Sequence, residues 1–343
     1  MFSEMDFAEY LDRELRIPGN KNSFGPVLDL FAGCGGLALG FEACGFETVG
    51  YEMDHQACQT YSTNLDGECF ETYITVDSDF TEKTDIIIGG PPCQPFSVIG
   101  HQKGKKDIRD GFPAFLSAVK KYDPKIAIFE NVRGMLYKNK LYFDHIVEEL
   151  KNLNYIVEYN LLNSVHYGVP QKRERLFVVA HRGQWKFPDK INHSFTVGDA
   201  LGDLLQNIPP NPKYLTKSMD EYIAKYEKAS SCVRPRDLHL DEPARTVTCR
   251  NLNGATGDML RVKLPNGKRR RLTVREGARL QSFPDWFEFS GSEGAQFNQI
   301  GNAVPPLMAK AIAKSVMEYL SNPFISNAGI INRLNAPLEP TLF

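Results

Sequence analysis

Apolar positions along the first half of the chain come in short runs separated by segments with helical spacing. Residues 27–31 (VLDLF) form one such run, broken by Gly33, Gly35 and Gly36, after which Leu37, Leu39, Gly40 and Phe41 predict a helix. A second strand is predicted over 47–51 (ETVGY), ending in Glu52 and followed by a helix-like segment at 56–64. Strand, helix and strand make a β-α-β unit of the size a parallel crossover needs. Further strands are predicted at 85–88, 126–129, 156–161 and 176–179, with helices at 113–121 and 143–153. The alternation predicts an α/β fold built on a doubly wound, mostly parallel sheet.

The regularity stops at Arg182. Beyond it lie scattered prolines, several Asn-containing turns and one short helix near 217–229. Pattern returns at 274–280 and again at 306–320, where Met308, Ala311, Ile312, Val316 and Tyr319 share one helical face expected to pack on the first domain. The expected organisation is an N-terminal extension (1–25), a main domain (26–183 and 271–322), a smaller irregular domain (184–270) and a loosely held tail (323–343).

Composition narrows the class without naming it. With 343 residues, 42% hydrophobic and 24% charged, the chain can bury a proper core, and no apolar run approaches a membrane span. The N-terminus lacks a basic stretch followed by an apolar one, so a secretory signal is not expected and the location is read as cytoplasmic. Seven cysteines, at 34, 44, 58, 69, 93, 232 and 249, include no C-x-x-C pair, and neither a disulfide framework nor a metal site is indicated. The net charge of −2 announces no polyanionic partner. Two basic runs, 103–109 (KGKKDIR) and 268–271 (KRRR), stand out, although most such runs are solvated faces.

Two constellations carry chemistry. In DLFAGCGG (29–36) the glycines let a ligand approach the backbone, and Glu52 at the next strand end suits a ribose diol. The spacing is not G-x-G-x-x-G, so a nucleoside without a pyrophosphate fits better than a dinucleotide. In GGPPCQPFS (89–97) two prolines and a cysteine follow an apolar strand. Most free cysteines are inert core residues, but this collar holds the Cys93 thiol out at the crevice where such folds bind ligands and makes it a candidate nucleophile.

These two motifs, together with Glu130-Asn131-Val132, QKRER (171–175), RLTVREGARLQSFP (271–284) and QIGNAVPP (299–306), resemble the ordered motif set of the DNA cytosine-C5 methyltransferases. The resemblance implies a Rossmann-like class I methyltransferase fold with the 184–270 segment as target-recognition domain. It implies that Cys93 adds to carbon 6 of a flipped-out cytosine, that Glu130 serves ring nitrogen 3, and that Arg175 and Arg173 hydrogen-bond the base or nearby backbone and help anchor the thiolate. For S-adenosylmethionine, and its product S-adenosylhomocysteine, it implies a site formed by Phe31, Ala32, Gly33, Gly35, Leu37, Glu52, Met53, Phe80, Pro91, Asn302 and Ala303. Asp79, or else Asp77, is expected at the adenine amino group.

For double-stranded DNA the resemblance implies a mobile catalytic loop at 94–111, in which Gln94 and Ser97 brace the flipped nucleotide and Lys103, Lys105, Lys106 and Arg109 meet phosphates. Base reading is expected from Arg234, Arg236, Arg245, Arg250 and Asn251. The expected state on DNA is a monomer, associated with the nucleoid only through its substrate, and any companion restriction endonuclease acts separately. The chain's length resembles a bacterial or phage modification enzyme. Alternatives are an exocyclic amino methyltransferase, which has no use for Cys93, an RNA-directed relative, which has less use for 184–270, and a non-enzymatic DNA-binding module, which does not require Cys93, Glu130 and Arg175 together.

Overall fold

The computed structural model describes residues 6–80, 83–93, 110–206, 212–229, 231, 236–254, 257–264 and 266–322. Helix α1 (Phe7–Leu15) opens where the Asp6 carboxylate accepts from Glu9 N at 2.8 Å, and it buries Phe7, Leu11 and Leu15, four residues apart on one stripe. The stretch expected to be a mere extension is therefore part of the core.

Strand β1 (Pro26–Leu30), helix α2 (Gly36–Glu42), strand β2 (Glu47–Glu52), helix α3 (His55–Asn64) and strand β3 (Glu68–Glu71) wind to one side. The chain then crosses to β4 (Ile86–Gly89), α4 (Phe112–Tyr122), β5 (Ile126–Val132), α5 (Lys140–Asn152) and β6 (Ile156–Asn163), and returns through the short β7 (Gln171–Lys172) into β8 (Glu174–His181). The main sheet has seven strands in the order β3-β2-β1-β4-β5-β8-β6. All run parallel except β8, which is inserted antiparallel between β5 and β6.

Period-two alternation divides the core between the two faces of this sheet. Ile86, Ile88, Ile126 and Ile128 face one cluster, and Ile87, Ala127 and Phe129 face the other. The second cluster is closed by α4 and α5 through Phe115, Val119, Phe143 and Ile146. After β8 come α6 (Val197–Gln206), α7 (Lys217–Ala229), β9 (Ala244–Arg245), α8 (Cys249–Asn253), β10 (Arg261–Lys263) and β11 (Arg269–Arg271), then α9 (Val274–Leu280), α10 (Glu293–Asn302) and α11 (Pro306–Ser321). Helix α11 covers the first cluster, as its apolar face predicts, and crosses α2 so closely that a Cβ on Gly40 would lie 2.3 Å from Lys310 N.

The first cluster also includes Phe195, Val197, Val247, Leu252 and Leu260, so the 184–270 segment shares the core of the sheet. Strand β9 pairs in parallel with β7, joining Ala244 to Gln171. The three arginines of the KRRR run are used internally, while Lys268 is exposed. Arg270 is buried against Glu276 through bonds of 2.6 and 2.8 Å, Arg269 reaches Asp220 and Asp237 at 3.1 Å, and Arg271 donates to the Asn253 carbonyl.

Candidate active site

In an open α/β sheet the crevice lies beyond the carboxyl ends of the strands where the winding changes direction, here between β1 and β4. A cavity of about 860 Å³ opens there, walled by the turns after both strands, by the ends of β2 and β5, and by the turn that follows α10. The β1 turn is tight. Phe31 sits at φ 59° in the left-handed region, where a bulky side chain is rare outside sites held by their surroundings, and Gly33 follows at φ 55°.

Glu52 leaves β2 into this cavity with its carboxylate fixed by backbone. Its Oε1 accepts from Met53 N and Asp54 N, and its Oε2 from Gly33 N, each at 2.8 Å. A carboxylate offers about four lone-pair positions, so one on Oε2 is left for an incoming hydroxyl. Asp29, fully buried beneath the turn, has an Oδ2 with no partner, and burial together with the nearby Glu52 pushes its carboxyl well above the usual range.

Phe31, Ala32, Gly33, Leu37, Glu52, Met53, Pro91, Asn302 and Ala303 all line the cavity. Gly35 does not: it is the left-handed cap of α2, packed on Tyr61 and Leu65. Asp79 and Phe80 lie elsewhere too. The Asp79 carboxylate accepts from the Tyr122 hydroxyl at 2.6 Å and pairs with Lys121 at 3.0 Å, while Phe80 packs on Tyr51 and Tyr122. Exposed Asp77 is not a lining residue either. The wall beyond Glu52 is instead Thr72, Tyr73 and Ile74, which leave β3. The reason is topological: β3, only four residues long, ends at Glu71, so the strand end facing the crevice comes before Asp77 and Asp79.

At the other end of the cavity the register of β5 and β8 brings two distant charges together. Val132 pairs with Arg175 across the antiparallel ladder, which puts Arg175 diagonal to Glu130 on the same face. Arg175 Nε donates to Glu130 Oε1 at 2.7 Å, with both side chains almost buried. Burial pushes the Glu130 carboxyl up, and the charges of Arg175 and Arg173 only partly offset it. Arg173, one step along the same motif, is fully buried and donates to the carbonyls of Val247, Gly301 and Ala303 at 2.5, 2.9 and 3.0 Å.

Cys93 is half-buried on the rim of the same cavity. Burial raises its thiol above the ordinary value; Asn139 opposes this by donating to Sγ at 3.5 Å, and Asp110 adds to it. Two side chains that sequence reasoning did not assign hold this region. Buried Asn131 donates to the Pro91 carbonyl at 2.9 Å and so ties the Gly-Pro-Pro-Cys turn to β5. Its place beside Glu130 was the available signal; Asn139, forty-six residues from Cys93, gave none.

A second cavity of about 650 Å³ shares Val132 and Arg175 with the first and opens among Arg133, Lys138, Lys172 and Thr246. Of the expected DNA residues, Gln94, Ser97, Lys103, Lys105, Lys106, Arg109 and Arg234 lie outside the described residues. Arg250 is exposed on α8. Three others have internal partners. Arg236 and Arg245 converge on one oxygen of Asp258, at 3.0 and 2.7 Å, and Arg245 also takes the Met259 carbonyl. Asn251 is buried: it completes the capping box of α8 with Thr248 and donates to the Thr246 carbonyl at 2.9 Å, so its amide has no free edge for a base. Among the described residues no cluster of three His, Cys, Asp or Glu side chains could hold a metal, and no helix is long and apolar enough to cross a membrane.

Comparison with known proteins gives one answer. Residues 26–318 match the family model described as C-5 cytosine-specific DNA methylase. The chain is 59% identical over 324 residues to the Type II methyltransferase M.AplI of Arthrospira platensis, covering 94% of each chain. It is 34% identical to the Type II methyltransferase M.NgoFVII of Neisseria gonorrhoeae, over 86% of this chain and 87% of that one. The fold is shared with a Spodoptera frugiperda DNMT2 variant at a TM-score of 0.69 and 18% identity, covering 85% of this chain and 99% of that chain. A putative DNA modification methyltransferase from an Escherichia coli prophage matches at 0.65 and 23%, covering 87% and 100%. The chain belongs to the C-5 cytosine-specific DNA methylase family and is a DNA cytosine-C5 methyltransferase.

Proposed function

We propose that the methyl donor is S-adenosylmethionine, held in the larger cavity, and that Cys93, Glu130 and Arg175 carry the reaction on a cytosine turned out of the duplex. The supporting observation is the Arg175–Glu130 pair at 2.7 Å in the same cavity as the Cys93 thiol. The residues present fit the cofactor. The free lone pair of Glu52 suits one ribose hydroxyl, and the orphaned Oδ2 of Asp29 suits a buried ammonium. Tyr73, Ile74 and Met53 offer apolar surface to a base.

Carbon 5 of cytosine is too weak a nucleophile alone. The Cys93 thiolate adds to carbon 6, the electron pair of the 5,6 double bond moves into the ring, and Glu130 delivers its proton to nitrogen 3. Burial of the carboxyl keeps that proton available, and Arg175 fixes the direction of the Oε atoms. When bound, S-adenosylmethionine supplies a methyl group on a sulfonium that leaves as a neutral thioether. Carbon 5 takes the methyl, a base removes its hydrogen, the proton on nitrogen 3 returns to Glu130, and Cys93 departs as thiolate to leave 5-methylcytosine. Asn131 keeps Cys93 in reach throughout by pinning Pro91.

The 184–270 segment is the part we assign to target reading, acting as one monomer per site, with Arg250 the exposed candidate and Thr246 and Lys172 beside the cleft. Any companion endonuclease would act separately at the same sequence. The test is incubation with S-adenosylmethionine and unmethylated genomic DNA, followed by single-base sequencing that distinguishes 5-methylcytosine from amino-methylated bases. We expect 5-methylcytosine in one short motif; amino methylation or unmodified DNA would refute the proposal.

A further inference from the structure

Three fully buried polar side chains, Gln171, Arg173 and Gln281, lie where the 184–270 segment meets the wall of the cofactor cavity. The two glutamine amides form one head-to-tail series. The Val247 N–H donates to Gln171 Oε1 at 2.6 Å, and Gln171 Nε2 donates to Gln281 Oε1 at 2.7 Å. Gln281 Nε2 in turn donates to the carbonyls of Ile300 and Ala303 at 2.5 and 3.2 Å. Arg173 spans the same gap alone, joining the Val247 carbonyl to those of Gly301 and Ala303.

At one end stands Val247, next to Thr246 in the smaller cavity; at the other stands Ala303, which lines the larger one. The two ends also touch. A Cβ on Gly301 would fall 2.0 Å from Cys249 N, so the last turn of α10 lies directly against the 184–270 segment. The bonds of the series are buried except those to the Ala303 carbonyl, and shifting one end leaves a buried donor or acceptor orphaned, with Arg173 Nε already unpartnered. The two walls are thus held to one relative arrangement, and whatever stabilises that arrangement at one end stabilises it at the other.

We propose that Gln171, Arg173 and Gln281 are positioning residues that couple target DNA to the cofactor, so that each ligand tightens the binding of the other by the same factor. This rests on the reading of the larger cavity as the cofactor site.

The test is calorimetric titration of the full chain with S-adenosylhomocysteine, with and without a short duplex carrying the mapped methylation motif. For the wild type we expect the duplex to tighten binding at least about fivefold. Gln281→Met keeps the volume and removes the amide; the ratio should fall below about twofold while binding without DNA changes little. A folded Gln281→Met that keeps the wild-type ratio, or a wild type whose ratio is one, overturns the coupling. Failure of the wild type to bind S-adenosylhomocysteine at all would bring down the cofactor assignment instead. Should the variant not fold, amide hydrogen exchange on the wild type decides. S-adenosylhomocysteine alone is expected to slow exchange at Val247, and an unchanged Val247 amide refutes the proposal.

Discussion

Replacing Glu130 by Gln isolates the proton from the shape. The amide has the same outline as the carboxyl, and its oxygen can still accept from Arg175 Nε, so the cavity keeps its packing; the pair loses its charge assistance, worth about 1 kcal/mol of stability. What disappears is the acid at nitrogen 3. A positioned acid contributes about 10²- to 10⁴-fold, so kcat should fall by that factor, or about 3–5 kcal/mol in barrier height, with DNA binding little changed.

The pH profile gives a sharper reading. Glu130 must be protonated while Cys93 is ionised, and burial raises both groups. In the wild type the productive form is constant between the two pKa values and falls on either side, giving a flat-topped profile of kcat/KM. In Glu130→Gln only the thiol matters, so kcat/KM should keep rising with pH until Cys93 has titrated. The assay is transfer of labelled methyl to a duplex of the mapped motif from pH 5 to pH 10. A loss under about tenfold, or a variant profile with the wild-type acid limb and plateau, would show that Glu130 does not carry the proton.

Cys93→Ser should abolish transfer yet leave S-adenosylhomocysteine binding near normal in titration; substantial residual methylation would exclude the covalent route. Arg250→Ala should weaken DNA binding and lower the slope of log affinity against log salt by about one if its contact is with phosphate, whereas an unchanged slope with altered motif preference would assign it to a base. Arg270→Met strands the buried Glu276 carboxylate and should cost about 3 kcal/mol in urea denaturation, with the cleft chemistry intact in the folded fraction. A loss under about 1 kcal/mol would mean that the carboxylate finds another partner.

The parallel half of the sheet and the proposed reacting groups were legible because each sits at the carboxyl end of an apolar strand. Cys93, Glu130 and Glu52 all follow such runs. The misreading of Asp79 traces to β3, a four-residue edge strand with neither alternation nor full burial, whose end could not be seen. The internal partners of Arg236, Arg245 and Asn251 were hidden for a different reason. An arginine or asparagine in an irregular segment looks the same whether it meets a base or an internal partner, and the partner here, Asp258 or the α8 cap, is set by tertiary contact. Helix α10 escaped because its buried residues do not fall on one clear stripe.

The shared core has a bearing on attempts to change what this enzyme recognises. Since Val247, Leu252 and Leu260 are packed with sheet and α11 residues, the 184–270 segment is not a cassette that can be lifted out at its sequence boundaries. A graft from a relative would have to bring residues of matching volume at these positions and leave the β7–β9 pairing in place, exchanging only surface around Arg250 and the loops beside it. Chimaeras cut at 184 and 270 should be poorly folded, whereas chimaeras that retain 244–248 and the buried side chains should keep the scaffold while the exposed positions are varied.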